Sequence, residues 1–175
     1  MAAEPGQVLG PPVIDREAIA ERVTELAQAI DEGGGPLVLV ASLHGASVFA
    51  ADLSRALRTA HVLDFVAVSR FRPGAAGARL VKDLDHPVTG TRVVLVWDVV
   101  DTGLSLRFVL DRLQERGPRS LEVCTLLDRP HRRLGRDLPI RHAGFEVPDE
   151  LFVGYGLDPR GRWRGLPDIH ALPAG

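Results

Sequence analysis

Two acids stand three apart near the end of the stretch Val93 to Leu106, which reads VVLVWDVVDTGLSL. Asp98 and Asp101 lead into Thr102, Gly103, Leu104 and Ser105, where the pattern changes from strand-like to helical. The first backbone N–H groups of a helix lack partners inside it, and its peptide dipoles place positive potential at that end, so the turn suits a phosphate. Gly103 lets a ligand approach the backbone closely, and the hydroxyls of Thr102 and Ser105 add donors. Acids beside a phosphate need an explanation. A ribose joined to that phosphate supplies one, because its hydroxyls donate to carboxylates, and magnesium offsets the charge that sets acid against phosphate. The simpler alternative is that Asp101 and Thr102 cap the helix.

Regular elements must hold that turn. Asp15 is placed to cap a helix in which Ile19, Val23, Leu26 and Ile30 form one apolar stripe, ended by Gly33-Gly34-Gly35-Pro36. Leu37 to Ala41 is a continuous apolar run, as expected of a strand covered on both faces of a parallel sheet. A loop over Ser42 to Ala46 and a helix over Ser47 to Leu57 complete a first βα unit. Val62 to Val68 reads as a second strand, Arg72 to Gly77 as a loop rich in small residues, and Leu80 to Leu84 as a hairpin partner. Val93 to Trp97 is a strongly apolar strand. The stripe Leu106, Val109, Leu110, Leu113 predicts a helix ended by Gly117-Pro118, and Leu121 to Leu127 predicts another buried strand. Arg129 to Arg141 reads as basic and irregular, with His131, Arg132 and Arg133 solvated, before short strands at Phe145 to Val147 and Phe152 to Tyr155. The alternation predicts an α/β fold with a doubly wound sheet, whose ligands sit beyond the carboxyl ends of the strands.

Bulk properties narrow the function classes. The 175 residues suit a single domain over 13–175, with Met1 to Pro12 as a loose tail lacking the basic start and apolar stretch of a secretory signal. Hydrophobic residues at 45% and charged residues at 25% describe an ordinary globular chain. A net charge of -2 provides no general field for nucleic acid or an anionic membrane, so neither is expected as a partner. No segment reaches the ~20 apolar residues needed to cross a bilayer, and a cytoplasmic location is expected. Cys124 is the only cysteine and lies in an apolar run, which predicts a core residue and excludes an intrachain disulfide. The histidines show no spacing suited to zinc.

The turn after Val93 resembles the phosphoribosyl pyrophosphate signature of type I phosphoribosyltransferases. Three further stretches resemble the hypoxanthine-guanine branch of that family: VLVASLHGASVFAADL from Val38, LVKDLD from Leu80 to Asp85, and FEVPDELFVGYGLDPRGRWRGLPDI from Phe145 to Ile169. The resemblance runs from about Val13 to Leu172 and implies the type I phosphoribosyltransferase fold: a doubly wound, mainly parallel sheet flanked by helices, with a small hood at the purine-binding end and a flexible flap. It implies transfer of ribose 5-phosphate from phosphoribosyl pyrophosphate to hypoxanthine, guanine or a related purine. By position, Asp101 would manage the base's proton, Asp101, Thr102, Gly103, Leu104 and Ser105 would hold the 5-phosphate, and Asp98 would bind the ribose. Leu43, His44, Gly45 and Arg164 would contact pyrophosphate, with a strained or cis peptide in the first of these loops. Arg129, Leu151, Phe152 and Asp158 would form the base end, and Asp98 and Asp158 would support magnesium. The flap would span Ser69 to Arg79, with Ser69, Arg70 and Phe71 leading into it. A homodimer or homotetramer is implied as well.

Several positions depart from the family pattern. Trp97 replaces the first of two adjacent acids, either as a core residue at the strand end or as a reshaped ribose wall. His44 replaces a lysine, which implies weaker or more pH-dependent handling of pyrophosphate. Arg129 replaces a lysine, and a planar guanidinium is not equivalent to an ammonium. Leu151 stands where an aromatic side chain stacks on the base, Phe152 supplies a ring there only if the chain shifts, and Phe71 lacks a tyrosine's hydroxyl. The alternatives are a paralogue acting on a purine analogue such as a 7-deazapurine, and a non-catalytic sensor of phosphoribosyl pyrophosphate. The retained Asp98, Asp101, Asp158 and Arg164 favour the enzyme. The sensor needs a contiguous basic face, which scattered Lys and Arg in an acidic chain do not provide.

Overall fold

The Asp15 side chain accepts the N–H of Ala18 at 2.8 Å and opens α1 (Arg16–Glu32), the N-cap expected from its residue type. In this computed structural model, residues 9–69, 79–134, 138–159 and 161–172 are described. The anticipated stripe of α1 is buried, with Ala27 added to it. The chain then builds β1 (Leu37–Leu43), α2 (Ser47–Ala56), β2 (His61–Val68), β3 (Leu80–Lys82), β4 (Arg92–Val100), α3 (Leu104–Gln114), β5 (Ser120–Asp128) and β6 (Ile140–Glu146). These strands form one sheet in the order β3-β2-β1-β4-β5-β6, parallel except for β3.

Strand pleating explains why the central strands are apolar without interruption. Successive side chains point to opposite faces. Leu37, Leu39 and Ala41 of β1, Val94 and Val96 of β4, and Cys124 and Leu126 of β5 pack in one core with the apolar faces of α1 and α2. Val38 and Val40, Val93, Leu95 and Trp97, and Val123 pack in a second core with Leu106, Val109, Leu110 and Leu113 of α3. Both faces are thus covered, and each fully buried Val or Leu contributes roughly 1.5–3 kcal/mol relative to exposure. Cys124 belongs to the first core, where burial pushes its thiol far above the ordinary range and leaves it inert.

The order of strands sets the place for a ligand. From β1 the chain passes through α2 to β2 on one side, whereas β4, paired to the other side of β1, continues through α3 to β5. The loops leaving β1 and β4 therefore diverge, and a crevice opens between them at the carboxyl ends of the strands.

Some boundaries differ from the sequence pattern. β4 continues past Trp97 to Val100, so Asp98 lies within the strand and its direction is set by the pleat. β6 starts at Ile140, inside the stretch read as irregular, and pairs with β5. The hairpin partner of β2 ends at Lys82 rather than Leu84. The strand expected over Phe152 to Tyr155 is β7 (Leu151–Val153), because Tyr155 takes a left-handed φ of 47° that no strand accommodates. Its antiparallel partner, β8 (His170–Leu172), carries no alternating pattern long enough to signal it. Residues 1–8, the bulk of the expected tail, and residues 70–78, with Arg70 and Phe71 of the expected flap and the loop expected over Arg72 to Gly77, lie outside the described residues. Among the described residues no helix is long and apolar enough to cross a membrane.

Candidate active site

The pleat at the end of β4 sends two adjacent side chains to opposite faces. Trp97, 6% exposed, enters the core beneath α3 and also borders the crevice, so it is both a core residue and part of the wall. Asp98 faces the loop after β1. A Cβ added to Gly45 would lie 1.8 Å from Asp98 Oδ2, so this acid fits only because glycine stands opposite. The loop itself contains a cis peptide between Leu43 and His44, in line with expectation. It is braced by the Ser47 hydroxyl, which donates to the His44 carbonyl at 2.8 Å.

The turn after β4 has the form of an anion cradle. Gly103 occupies the N-cap of α3 with a left-handed φ of 81°, and no side chain caps the helix. The capping alternative for Asp101 and Thr102 is thereby set aside. The first intrahelical bond, Arg107 N–H to the Gly103 carbonyl, is 2.8 Å long. From outside, Leu134 N–H donates to the Thr102 carbonyl at 3.1 Å and holds the turn in place. Thr102, Gly103, Leu104 and Ser105 all line a cleft of about 710 Å³, shared with Leu43, His44, Gly45, Asp98 and Asp101.

Asp101 is met by two arginines. Arg132 Nε lies 2.7 Å from its Oδ1 and Arg129 Nη1 lies 3.9 Å from its Oδ2, while the side chain stays 40% exposed. Arg132 also reaches both oxygens of Asp149, at 2.5 and 2.6 Å. Arg133 pairs with Asp128. The basic loop is therefore not simply solvated: two of its arginines are held by acids, a pairing that spacing along the chain does not reveal. Arg129 is buried, donates to the Glu150 carbonyl and stacks its guanidinium 5.5 Å from the centroid of Phe152. Phe152 is buried while Leu151 is 52% exposed, and both border the cleft.

The far wall comes from the loop after β7. The buried Asp158 carboxylate accepts Gly161 N–H at 2.7 Å and also Trp163 N–H. Arg164 donates to the Gly156 carbonyl and, at 3.0 Å, to the Asp158 carbonyl. Both residues also line the cleft. Tyr155 fastens this loop to α2 by donating its hydroxyl to Asp52 Oδ2 at 2.6 Å; burial, then Asp52, pushes that hydroxyl well above its ordinary pKa. At the end of β2, Ser69 N–H donates to the Arg79 carbonyl at 2.9 Å and Arg79 N–H to the Ser69 hydroxyl at 3.1 Å. The link from Asp101 through Arg132 to Asp149, beside the cleft, is the arrangement that the sequence did not signal.

Residues 13–159 match the family described as the phosphoribosyl transferase domain. The chain is 40% identical over 164 residues to a hypoxanthine phosphoribosyltransferase of Salmonella typhimurium, covering 90% of this chain and 92% of that protein. It is 39% identical over 171 residues to a hypoxanthine-guanine phosphoribosyltransferase of Mycobacterium avium, covering 91% and 84% respectively. A crystal structure of a hypoxanthine-guanine phosphoribosyltransferase from Bacillus anthracis superposes with a TM-score of 0.90 at 37% identity, over 95% of this chain and 100% of that one.

Proposed function

The chain belongs to the phosphoribosyltransferase family, in its hypoxanthine-guanine branch, and from this premise we propose that it joins hypoxanthine, guanine or a related purine to the ribose 5-phosphate of phosphoribosyl pyrophosphate, releasing pyrophosphate. The observation that carries the reading is an uncapped, glycine-led helix N-terminus opening into the same cleft as Asp98 and Asp101. Such a turn attracts a phosphate, and the adjacent carboxylates accept the hydroxyls of the attached sugar.

In this reading Asp101, Thr102, Gly103, Leu104 and Ser105 hold the 5-phosphate and Asp98 the ribose hydroxyls. Leu43, His44, Gly45 and Arg164 receive pyrophosphate, and Arg129, Leu151, Phe152 and Asp158 form the base end. An imidazole nitrogen of the base bonds to the anomeric carbon as the carbon–oxygen bond to pyrophosphate breaks, and the bond pair leaves with pyrophosphate. Positive charge develops on the sugar, and the proton on the base's imidazole ring passes to the Asp101 carboxylate. The segment from Ser69 to Arg79, including Arg70 and Phe71, is proposed as the flap that excludes water from this cation.

Magnesium fits the donor set. Among the described residues no three His, Cys, Asp or Glu side chains converge as a protein-only cage. Asp98 and Asp158 nevertheless each border the cleft, and one or two carboxylates with substrate oxygens are what this ion commonly takes. When bound, it stabilises the charge on departing pyrophosphate. The reading also carries the implied homodimer or homotetramer, a cytoplasmic setting, and no nucleic-acid partner.

The test is a panel of hypoxanthine, guanine, xanthine, adenine and 7-deazaguanines with magnesium and phosphoribosyl pyrophosphate, followed by pyrophosphate release. Turnover with hypoxanthine or guanine is expected. Turnover confined to a deazapurine would move the enzyme to a purine analogue, and release with no base at all would overturn the reading.

A further inference from the structure

We propose that Arg132 is a positioning residue for Asp101, selecting the carboxylate oxygen that meets the base and tying it to the loop that borders the base. The inference rests on the catalytic role of Asp101 given above. Asp101 Oδ1 is sealed from solvent, although the side chain as a whole is 40% exposed. Arg132 Nε lies 2.7 Å from that sealed oxygen as an ion pair outside hydrogen-bond alignment, so the contact is one of charge and packing and the accessible side of the carboxyl is Oδ2. Arg129 Nη1 stands 3.9 Å from Oδ2, beyond hydrogen-bond range, and leaves its lone pairs open to a ligand. A carboxylate free to rotate would offer the two oxygens interchangeably; one clamped through Oδ1 offers a single oxygen in a fixed direction.

The same guanidinium extends the clamp to the base end. Arg132 Nη1 lies 2.5 Å from Asp149 Oδ1 and 2.6 Å from Oδ2, and the next residue, Glu150, accepts Arg129 through its carbonyl. Arg129 precedes and Arg132 ends the short helical turn Pro130–Arg132 after β5, where Arg132 N–H donates to the Arg129 carbonyl at 3.1 Å. The chain just before Leu151 and Phe152 is thus joined to Asp101 through one planar fork. An ammonium on a lysine stem is a compact point charge and cannot span two carboxylates with the same fixed geometry.

A residue that acts through Asp101 has nothing left to act on once that carboxylate is gone. The experiment is a double-mutant cycle on turnover with hypoxanthine, magnesium and phosphoribosyl pyrophosphate, using Arg132→Gln, Asp101→Asn and the pair. It is accompanied by Arg132→Lys and by calorimetric affinity for the pyrophosphoryl donor. Arg132→Gln is expected to lower kcat about tenfold, in the range of coupling within one ion-pair network, with donor affinity held within about twofold. The double variant should be no slower than Asp101→Asn alone, and Arg132→Lys should recover only part of the loss. Wild-type turnover in Arg132→Gln, or a loss that adds in full to that of Asp101→Asn, would overturn the positioning role and leave the catalytic one standing. Wild-type turnover in Asp101→Asn would instead overturn the catalytic role and this inference with it. Should Arg132→Gln not fold, the cycle with Arg132→Lys decides by the same criterion.

Discussion

Asp64 and Asp101 both stand on or just after an apolar strand of the same sheet, yet they meet opposite surroundings. Asp64 is 2% exposed, and its oxygens accept the backbone N–H groups of Phe65 at 2.7 Å and of Asp85 and His86 at 2.9 Å each. Those bonds fold the segment after β3 back onto β2. Burial alone would raise the Asp64 carboxyl, but hydrogen bonds from Phe65, His86 and Asp85 outweigh it and hold the group below the usual carboxylate range. Asp101 is met by arginine side chains and keeps 40% of its own side chain exposed. The backbone donors around Asp64 cannot leave without undoing a turn, and they close its carboxylate off from solvent. What separates these two acids is access to the cleft, which Asp101 borders and Asp64 does not, rather than residue type.

Substitutions at the two acids should break this contrast or sharpen it. The largest effect is expected from Asp101→Asn: kcat falls by about a thousandfold, the middle of the range for general acid–base catalysis, while affinity for phosphoribosyl pyrophosphate hardly changes. Single-turnover kinetics beside calorimetry would show it, and a loss of donor affinity as large as the loss of kcat would leave Asp101 only its place in the 5-phosphate cradle. Asp64→Asn should do the reverse, costing about 2 kcal/mol in denaturant unfolding with turnover per folded molecule preserved. Because the folded carboxyl titrates below its ordinary value, the Asp64 contribution is complete above about pH 4 and is lost as pH falls through the folded value. The variant's stability should therefore fall less steeply than the parent's below that pH. If the two acid limbs of stability coincide, Asp64 is not the group responsible.

A smaller effect is expected at the contact between the two diverging loops. Gly45→Ala brings a methyl group to 1.8 Å from Asp98 Oδ2 and must displace that carboxylate. The KM for phosphoribosyl pyrophosphate should rise about tenfold, with the unfolding midpoint much less affected, since the displacement falls on a group that borders the cleft. An unchanged KM would mean that Asp98 tolerates another orientation and that its fit against Gly45 is incidental.

Much of this was legible before any coordinates. The apolar runs at β1, β4 and β5 are uninterrupted over the length of a strand and the stripes of α1 and α3 recur with the helical period, so local pattern determines them. The turn from Asp101 to Ser105 was legible for the same reason: acid, hydroxyl and glycine lie within a few residues of a strand end. β8 escaped because three residues carry no periodicity, and the full extent of β4 escaped because Asp98 interrupts its apolar pattern.

The amino-acid sequence by itself determined the class of fold, the glycine-led turn after β4 and the acids beside it, all of which depend on neighbours in the chain. Only the tertiary structure decided that Asp98 lies against Gly45, that Arg129 covers Phe152, and that Arg132 spans Asp101 and Asp149. Those contacts join residues from separate loops at the carboxyl end of one sheet. Strand order and pleat set their distances and directions, and neither is written in the spacing of the residues concerned.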